Sequence, residues 1–361
     1  MNSHSVDIVD NYYVGLELRI GIQTDDYKKN ISDNSFRYPR YGIGYYMGDM
    51  NRIILGDASQ GGFGRPSALY AFFSSPVFRW KNFSLDYDIG FGVSYRFKTY
   101  DPESRPYNTL IGTKCNGYIS LGLDGQIAFP GHSTLGFGVG FRHFSNGSFQ
   151  KPNSGINLTM ATLTYKYGLY KNKEKSYTRF PIEPAEPAVE WNVSWGNAVR
   201  MLDTDFDYDQ PRSTKRWYST TLSSAVLVQT SHRRKFGIGL DFFYFDWGQH
   251  IIRYRARDDG RDNVKTGISD NMAFAVYLAH EVAYRRFWAV TDLGFYLGDR
   301  VGDIPVSPWV YERIGVKYML TDRLSLGLFL KAHVVKADYL ELSVGYSIVK
   351  GRKIKKKATG T

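Results

Sequence analysis

The sequence predicts an all-β chain: an antiparallel transmembrane β-barrel of about fourteen strands, within a range of about twelve to sixteen. Three observations predict it. The first is composition. Among 361 residues there are 28 Tyr, 23 Phe and 36 Gly, which favour strands and tight turns over helices. The second is long alternation. From Phe83 to Phe97 the odd positions are Phe83, Leu85, Tyr87, Ile89, Phe91, Val93, Tyr95 and Phe97, and the positions between are Ser, Asp, Gly or Arg. Side chains of a strand point to opposite faces in turn, so one face is apolar and the other polar. A soluble strand is typically about five or six residues, whereas a transmembrane strand needs about nine to eleven. The third is what is missing. No apolar run reaches the roughly 18 residues of a membrane helix, and no amphipathic helix of normal length is visible. A soluble β-sandwich would explain the alternation, but not the strand lengths or the tyrosines at strand ends, which suit an aromatic girdle.

Each strand follows from the same rule. Strong alternation covers 14–22, 83–97, 119–127, 135–141, 236–242, 324–330 and 340–348. Weaker alternation covers 41–49, 67–79, 157–167, 190–200, 217–229, 272–283, 286–297 and 311–319. Leu85, Ile89, Val93, Leu121, Phe137 and Val139 should face lipid, and Asp86, Asp88, Asp124 and Gln126 should face inward. Short connectors such as Lys81-Asn82 and Pro130-Gly131-His132 should be periplasmic turns. Long ones at 23–40, 99–113, 201–215 and 247–270 should be outer loops. The stretch 169–189 carries Pro181, Pro184 and Pro187. It reads either as a loop or as a linker after an N-terminal barrel of eight strands. One barrel over 12–349 is favoured, with an N-terminal tail at 1–11 and a basic tail at 350–361.

Charge and cysteine content narrow the function. The net charge is +11, and the dense cationic run is Arg352, Lys353, Lys355, Lys356 and Lys357. It lacks any nucleic-acid-reading motif, so nucleic acid is not expected as a partner. The single cysteine, Cys115, excludes an internal disulfide framework, and no metal site or cofactor is expected. No signal peptide is visible after Met1, so an outer-membrane location implies a chain without its leader. The sequence assigns no oligomeric state.

The candidate chemistry lies in His143-Phe144-Ser145-Asn146-Gly147. His143 and Ser145 continue the lipid-facing row of their strand, where an isolated polar group costs several kcal/mol. Two residues apart on one face, their Cα atoms are about 6–7 Å apart, within reach of a nucleophile–base pairing. A hairpin through 147–156 sets Asn157 beside His143, where an amide oxygen would fix the imidazole tautomer. The bland alternative is an interfacial histidine before a Ser-Asn-Gly turn.

These residues, followed by Lys151-Pro152-Asn153-Ser154-Gly155-Ile156-Asn157, resemble the HxSNG…PNxGxN signature of the PagL-like lipid A 3-O-deacylases, the acyloxyacyl hydrolases. The run Tyr100-Asp101-Pro102-Glu103, Pro106-Tyr107-Asn108 and Ile111-Gly112-Thr113-Lys114 is similar to their longer Bacteroides-type versions. The resemblance is close over residues 90–168. It implies an outer-membrane serine hydrolase acting on lipid A of lipopolysaccharide, with Ser145 as nucleophile, His143 as general base and Asn146 holding the oxyanion. Asn157 stands where the short members have glutamate. The basic residues Arg105, Lys114 and Lys151, with Lys98, would meet lipid A phosphates. The competing expectations are a porin-like barrel and an inactive lipopolysaccharide-binding barrel.

Overall fold

A computed structural model describes residues 8–9, 12–55, 61–171, 176–203, 215–261, 264–297, 300–301, 304–305, 309–334 and 336–350. The chain forms two compact units, 1–181 with 205–214, and 182–204 with 215–361. Most of the tails at 1–11 and 350–361, and of the connector 201–215, lies outside the described residues.

The first unit is one antiparallel sheet of seven strands. They are β1 (Val14–Gln23), β2 (Arg40–Asp49), β3 (Gly64–Trp80), β4 (Phe83–Phe97), β5 (Asn116–Ala128), β6 (Ser133–Ser145) and β7 (Ile156–Tyr167), paired in that order. The sheet curls strongly. Glu17 on β1 pairs with Arg142 on β6 at 2.5 Å, and Tyr13 before β1 donates to the carbonyl of Thr159 on β7 at 3.3 Å. The second unit is a closed barrel of eight strands. They are β8 (Ala188–Arg200), β9 (Trp217–Ser231), β10 (Arg234–Phe245), β11 (Met272–Tyr284), β12 (Phe287–Tyr296), β13 (Val310–Met319), β14 (Leu324–His333) and β15 (Lys336–Lys350).

The single barrel of about fourteen strands is therefore corrected to a seven-stranded sheet and a separate closed barrel of eight. The reason lies in pairing. With seven antiparallel strands, β1 and β7 run in the same direction and do not form an antiparallel pair. After the proline-rich stretch, β8 pairs with β15 instead, in the register Val189↔Lys350. The stretch 169–189 lies between the two sheets in sequence.

Face assignment follows the expected parity. Ile89, Val93, Leu121, Phe137 and Val139 are exposed and Leu85 is half-buried, whereas Asp86, Asp88 and Gln126 are buried and Asp124 half-buried. The inner face of the first unit is held by charge pairs. Arg19 clasps Asp88 through both terminal nitrogens, at 2.7 and 3.0 Å, and also contacts Glu17. Burial of such ions is tolerated because each is paired. Above them Tyr46, Tyr118, Phe97 and Phe144 pack together, with Phe144 5.4 Å from Tyr118 and 5.3 Å from Phe97 between ring centres.

One expectation about connectors and one about helices are corrected. Strand direction places 24–39 at the same end as the short turns 81–82 and 129–132, opposite the loops 50–63, 98–115 and 146–155. Its short helix α1 (Ile31–Ser35) covers that end, where Arg79 donates to the carbonyls of Arg37 (2.6 Å) and Tyr38 (3.0 Å). Connector length alone misassigned it. In the second unit, 247–270 contains helix α2 (Gly248–Asp258). Its Ile251 packs with Trp247 and Phe245 against the barrel interior. Only three of its side chains are large and apolar or aromatic, amid arginines, so its pattern is hidden among polar residues.

Candidate active site

Strand β6 carries the site because its two faces do different work. Arg142 and Phe144 point inward. Arg142 donates to the Tyr118 hydroxyl at 3.0 Å and lies 4.2 Å over the Tyr46 ring, and Phe144 is fully buried. These anchors fix the strand's rotation, so His143 and Ser145 emerge on the lipid-facing side. Across the hairpin His143 is directly paired with Asn157 in the β6–β7 ladder. On the other flank, Gly117 of β5 stands opposite Ser145 and leaves its face uncrowded.

His143 Nδ1 and Asn157 Oδ1 are 2.6 Å apart. An amide oxygen only accepts, so Nδ1 is the donor in this contact and Nε2 points away from it. The loop 146–155 closes over the same spot. Gly155 has φ +79°, and a Cβ there would lie 2.9 Å from His143 Cε1, so only glycine lets the chain pass so close. No hydrogen bond joins Ser145 to His143. The Ser145 hydroxyl instead accepts from Asn153 Nδ2 at 2.9 Å and from the Gly147 backbone N–H at 3.2 Å. Asn153 Oδ1 in turn accepts from the Asn146 N–H at 3.0 Å.

Asn146 is placed beside the serine, but its side chain turns into the loop. It is buried, and its amide nitrogen donates to Thr113 Oγ1 (3.1 Å) and to the Gln150 carbonyl (2.9 Å). Both amide protons are committed to scaffolding. The loop 98–115 grips 146–155 from outside. Gly155 N–H donates to the Leu110 carbonyl at 3.0 Å, and a Cβ at Gly112 would meet the Pro152 carbonyl at 2.6 Å. That loop is itself pinned by Asp101, whose Oδ1 accepts from Ser104 N–H and Oγ, each at 2.8 Å. These bonds hold its carboxyl below the usual range.

Of the expected phosphate contacts, Lys98 and Lys114 are exposed and lie in the loop 98–115. Arg105 is half-buried and donates to the Thr99 carbonyl at 2.7 Å. Lys151 is buried, which removes it from an open rim. Sequence reasoning missed Asn153 and Thr113 as site builders. Both stood inside the motif runs, yet contacts eight residues apart across an irregular loop carry no spacing rule.

A paired imidazole, an adjacent serine and two N–H donors on its oxygen form the ingredients of acyl transfer. Comparison with known families agrees. Residues 17–166 match the family model described as lipid A 3-O-deacylase (PagL), and residues 189–351 match the acyloxyacyl hydrolase C-terminal domain. The chain belongs to the PagL-type acyloxyacyl hydrolases. Membership covers both units, and with the lipid-facing rows it makes the chain an outer-membrane β-barrel protein of a lipid A deacylase family. A search of curated proteins finds no match. Among solved structures, an outer membrane channel from Pseudomonas putida F1 aligns with 10% identity over 97% of this chain and 99% of its own, at a TM-score of 0.19. The Pseudomonas putida toluene transporter TodX aligns with 8% identity over 94% and 82%, at 0.18. A mutant Rh. blastica porin aligns with 10% identity over 93% and 91%, at 0.17. At such scores these likenesses carry nothing further about this acyloxyacyl hydrolase.

Proposed function

We propose that the protein is a serine esterase that removes the ester-linked acyl chain at the 3-O position of lipid A. The observation that carries this reading is an imidazole whose Nδ1–H is fixed by Asn157, on the same lipid-facing row as a serine whose oxygen receives two N–H donors. Substrate lipid lies along that face, so the ester reaches Ser145 without leaving the membrane.

Ser145 Oγ attacks the ester carbonyl while His143 Nε2 takes its proton. The carbonyl oxygen becomes the oxyanion. His143 then protonates the departing sugar oxygen, leaving an acyl-enzyme, and water activated by the same nitrogen releases the fatty acid. The N–H of Gly147 and the amide of Asn153 are the donors already at the serine, and we assign them the oxyanion. Asn146 supports them from behind. Asn157 orients the imidazole but adds no negative charge to stabilise imidazolium, so turnover is slower than a carboxylate would allow.

The decisive experiment is mass spectrometry of lipid A from cells expressing the protein or Ser145→Ala. Loss of one 3-O acyl chain with the wild type alone is expected. Deacylation by a correctly folded Ser145→Ala protein would remove Ser145 as the nucleophile, and unchanged lipid A with the folded wild type would transfer the assignment to the lipopolysaccharide-binding reading. The porin reading has a specific observation against it. In the closed barrel, Lys317–Glu281 (2.5 Å), Lys235–Glu190 (2.5 Å) and Arg313 with Asp292 (2.9 Å) and Asp241 (3.0 Å) tie facing strands together across the inner face.

A further inference from the structure

We propose that the turn end of the second unit's barrel is a binding surface for anionic phospholipid headgroups. Three short turns lie at that end: 232–233 between β9 and β10, 285–286 between β11 and β12, and 320–323 between β13 and β14. They carry His232, Arg233, Arg285, Arg286 and Arg323, and Arg234 opens β10 directly beside them. Arg234, Arg285, Arg286 and Arg323 are exposed. Among these three turns the one carboxylate is Asp322.

Turn chemistry does not ask for arginine here. Tight hairpin turns favour Gly, Asn or Asp because the backbone takes positive φ. Arg285 nevertheless holds φ 56°, a position that glycine or asparagine would fill with less strain. The residue at that position is cationic.

Depth is set by the neighbouring aromatics. Arg285 lies 5.5 Å from the Tyr284 ring centre, Arg323 donates to the Tyr346 hydroxyl at 3.3 Å, and Phe287 packs on Tyr318 with centres 4.8 Å apart. Below them the outward row is apolar: Phe236, Ile238 and Leu240 are all exposed. Aromatic rings of this kind mark the boundary of the hydrocarbon. The guanidinium groups therefore stand just past that boundary, at the level of phosphates, where arginine makes bidentate charge-assisted contacts. Strand β15 also ends at this end of the barrel. Short turns mark the periplasmic side of bacterial barrels. The leaflet there is built of phospholipid, so the partner is an anionic glycerophospholipid, not lipid A. This inference is independent of the hydrolase reading.

The test uses the full chain in detergent, titrated with phosphatidylglycerol, phosphatidylcholine or lipid A and read by native mass spectrometry. Wild type should bind phosphatidylglycerol at least about fivefold more tightly than phosphatidylcholine, a preference that shrinks with salt. Combined Arg233→Gln, Arg234→Gln, Arg285→Gln and Arg286→Gln should abolish the preference, and lysine at the same four positions should keep most of it. Should the quadruple variant fail to fold, Arg285→Asn with Arg286→Gly supplies a favourable turn without the charges and should lower the preference alone. Unchanged selectivity in these folded variants would overturn the proposal. So would lipid A losing more affinity than phosphatidylglycerol in the same variants, or displacement of phosphatidylglycerol by millimolar inorganic phosphate, which would indicate a soluble-anion site.

Discussion

In the proposed reaction Asn157 determines which nitrogen of His143 acts as the base, and so the proposed catalytic row should respond to substitution as one chemical unit. Ser145→Ala and His143→Ala should each abolish lipid A deacylation, and the double variant should be no worse than either, because groups acting together are non-additive. Asn157→Ala should cost less than either. Asn157→Glu should raise the rate, since a carboxylate at that 2.6 Å contact stabilises the imidazolium formed as serine loses its proton. A rate below wild type in a folded Asn157→Glu barrel would show that the neutral amide is required. Gly155→Ala combines a strained positive φ with a contact against the imidazole, so it should displace His143 and lower kcat with little change in KM. The residue pair His143–Ser145 was readable because parity alone placed both on the lipid face. Asn153 was not, because its contact depends on how a loop folds back.

At the scale of single elements, β6 and the two loops around it form the candidate site. The strand's inward anchor is Phe144, closed in by Tyr118 and Phe97. Phe144→Ala should destabilise the first unit by about 3–5 kcal/mol, as cavity formation in a packed interior does. Heat-modifiable gel migration measures that shift, and deacylation at low temperature should partly survive. The outer loop 98–115 acts through position. Gly112→Ala drives a methyl toward the Pro152 carbonyl and should loosen 146–155, lowering activity while the barrel remains folded. Equal activity in that variant would mean that the grip on the site loop is dispensable. All fifteen long strands among the described residues were legible, the weak ones included, because a period of two needs only local sequence. Helix α2 and the end at which 24–39 lies were not. The first is short and mostly polar, and the second follows from counting strand directions, not from connector length.

For the whole molecule, the sheet bearing the candidate site and the barrel that follows it in sequence are separate packing units. Thermal unfolding of Phe144→Ala should therefore show two transitions, with only the earlier one moved. The charged lumen of β8–β15 gives a second expectation at this scale. Reconstituted in planar bilayers, the protein should show no porin-like conductance, because Arg313, Lys317 and Lys235 are held across the interior by carboxylates. Steady ohmic channels would show that these pairs leave an open path.

The sequence by itself determined the strands, their two faces, the membrane as solvent and the His143–Ser145 row, all consequences of side-chain alternation. It also carried the motif that marks the family. Only the tertiary structure decided how the strands close, since closure depends on which edge finds which partner. β8 meets β15, and β1 and β7 point the same way. It likewise decided that Asn153 and Gly147, and not the Asn146 amide, face the serine oxygen. Alternation is a local property of the chain, whereas edge pairing and loop closure are set by hydrogen bonds between residues far apart in it.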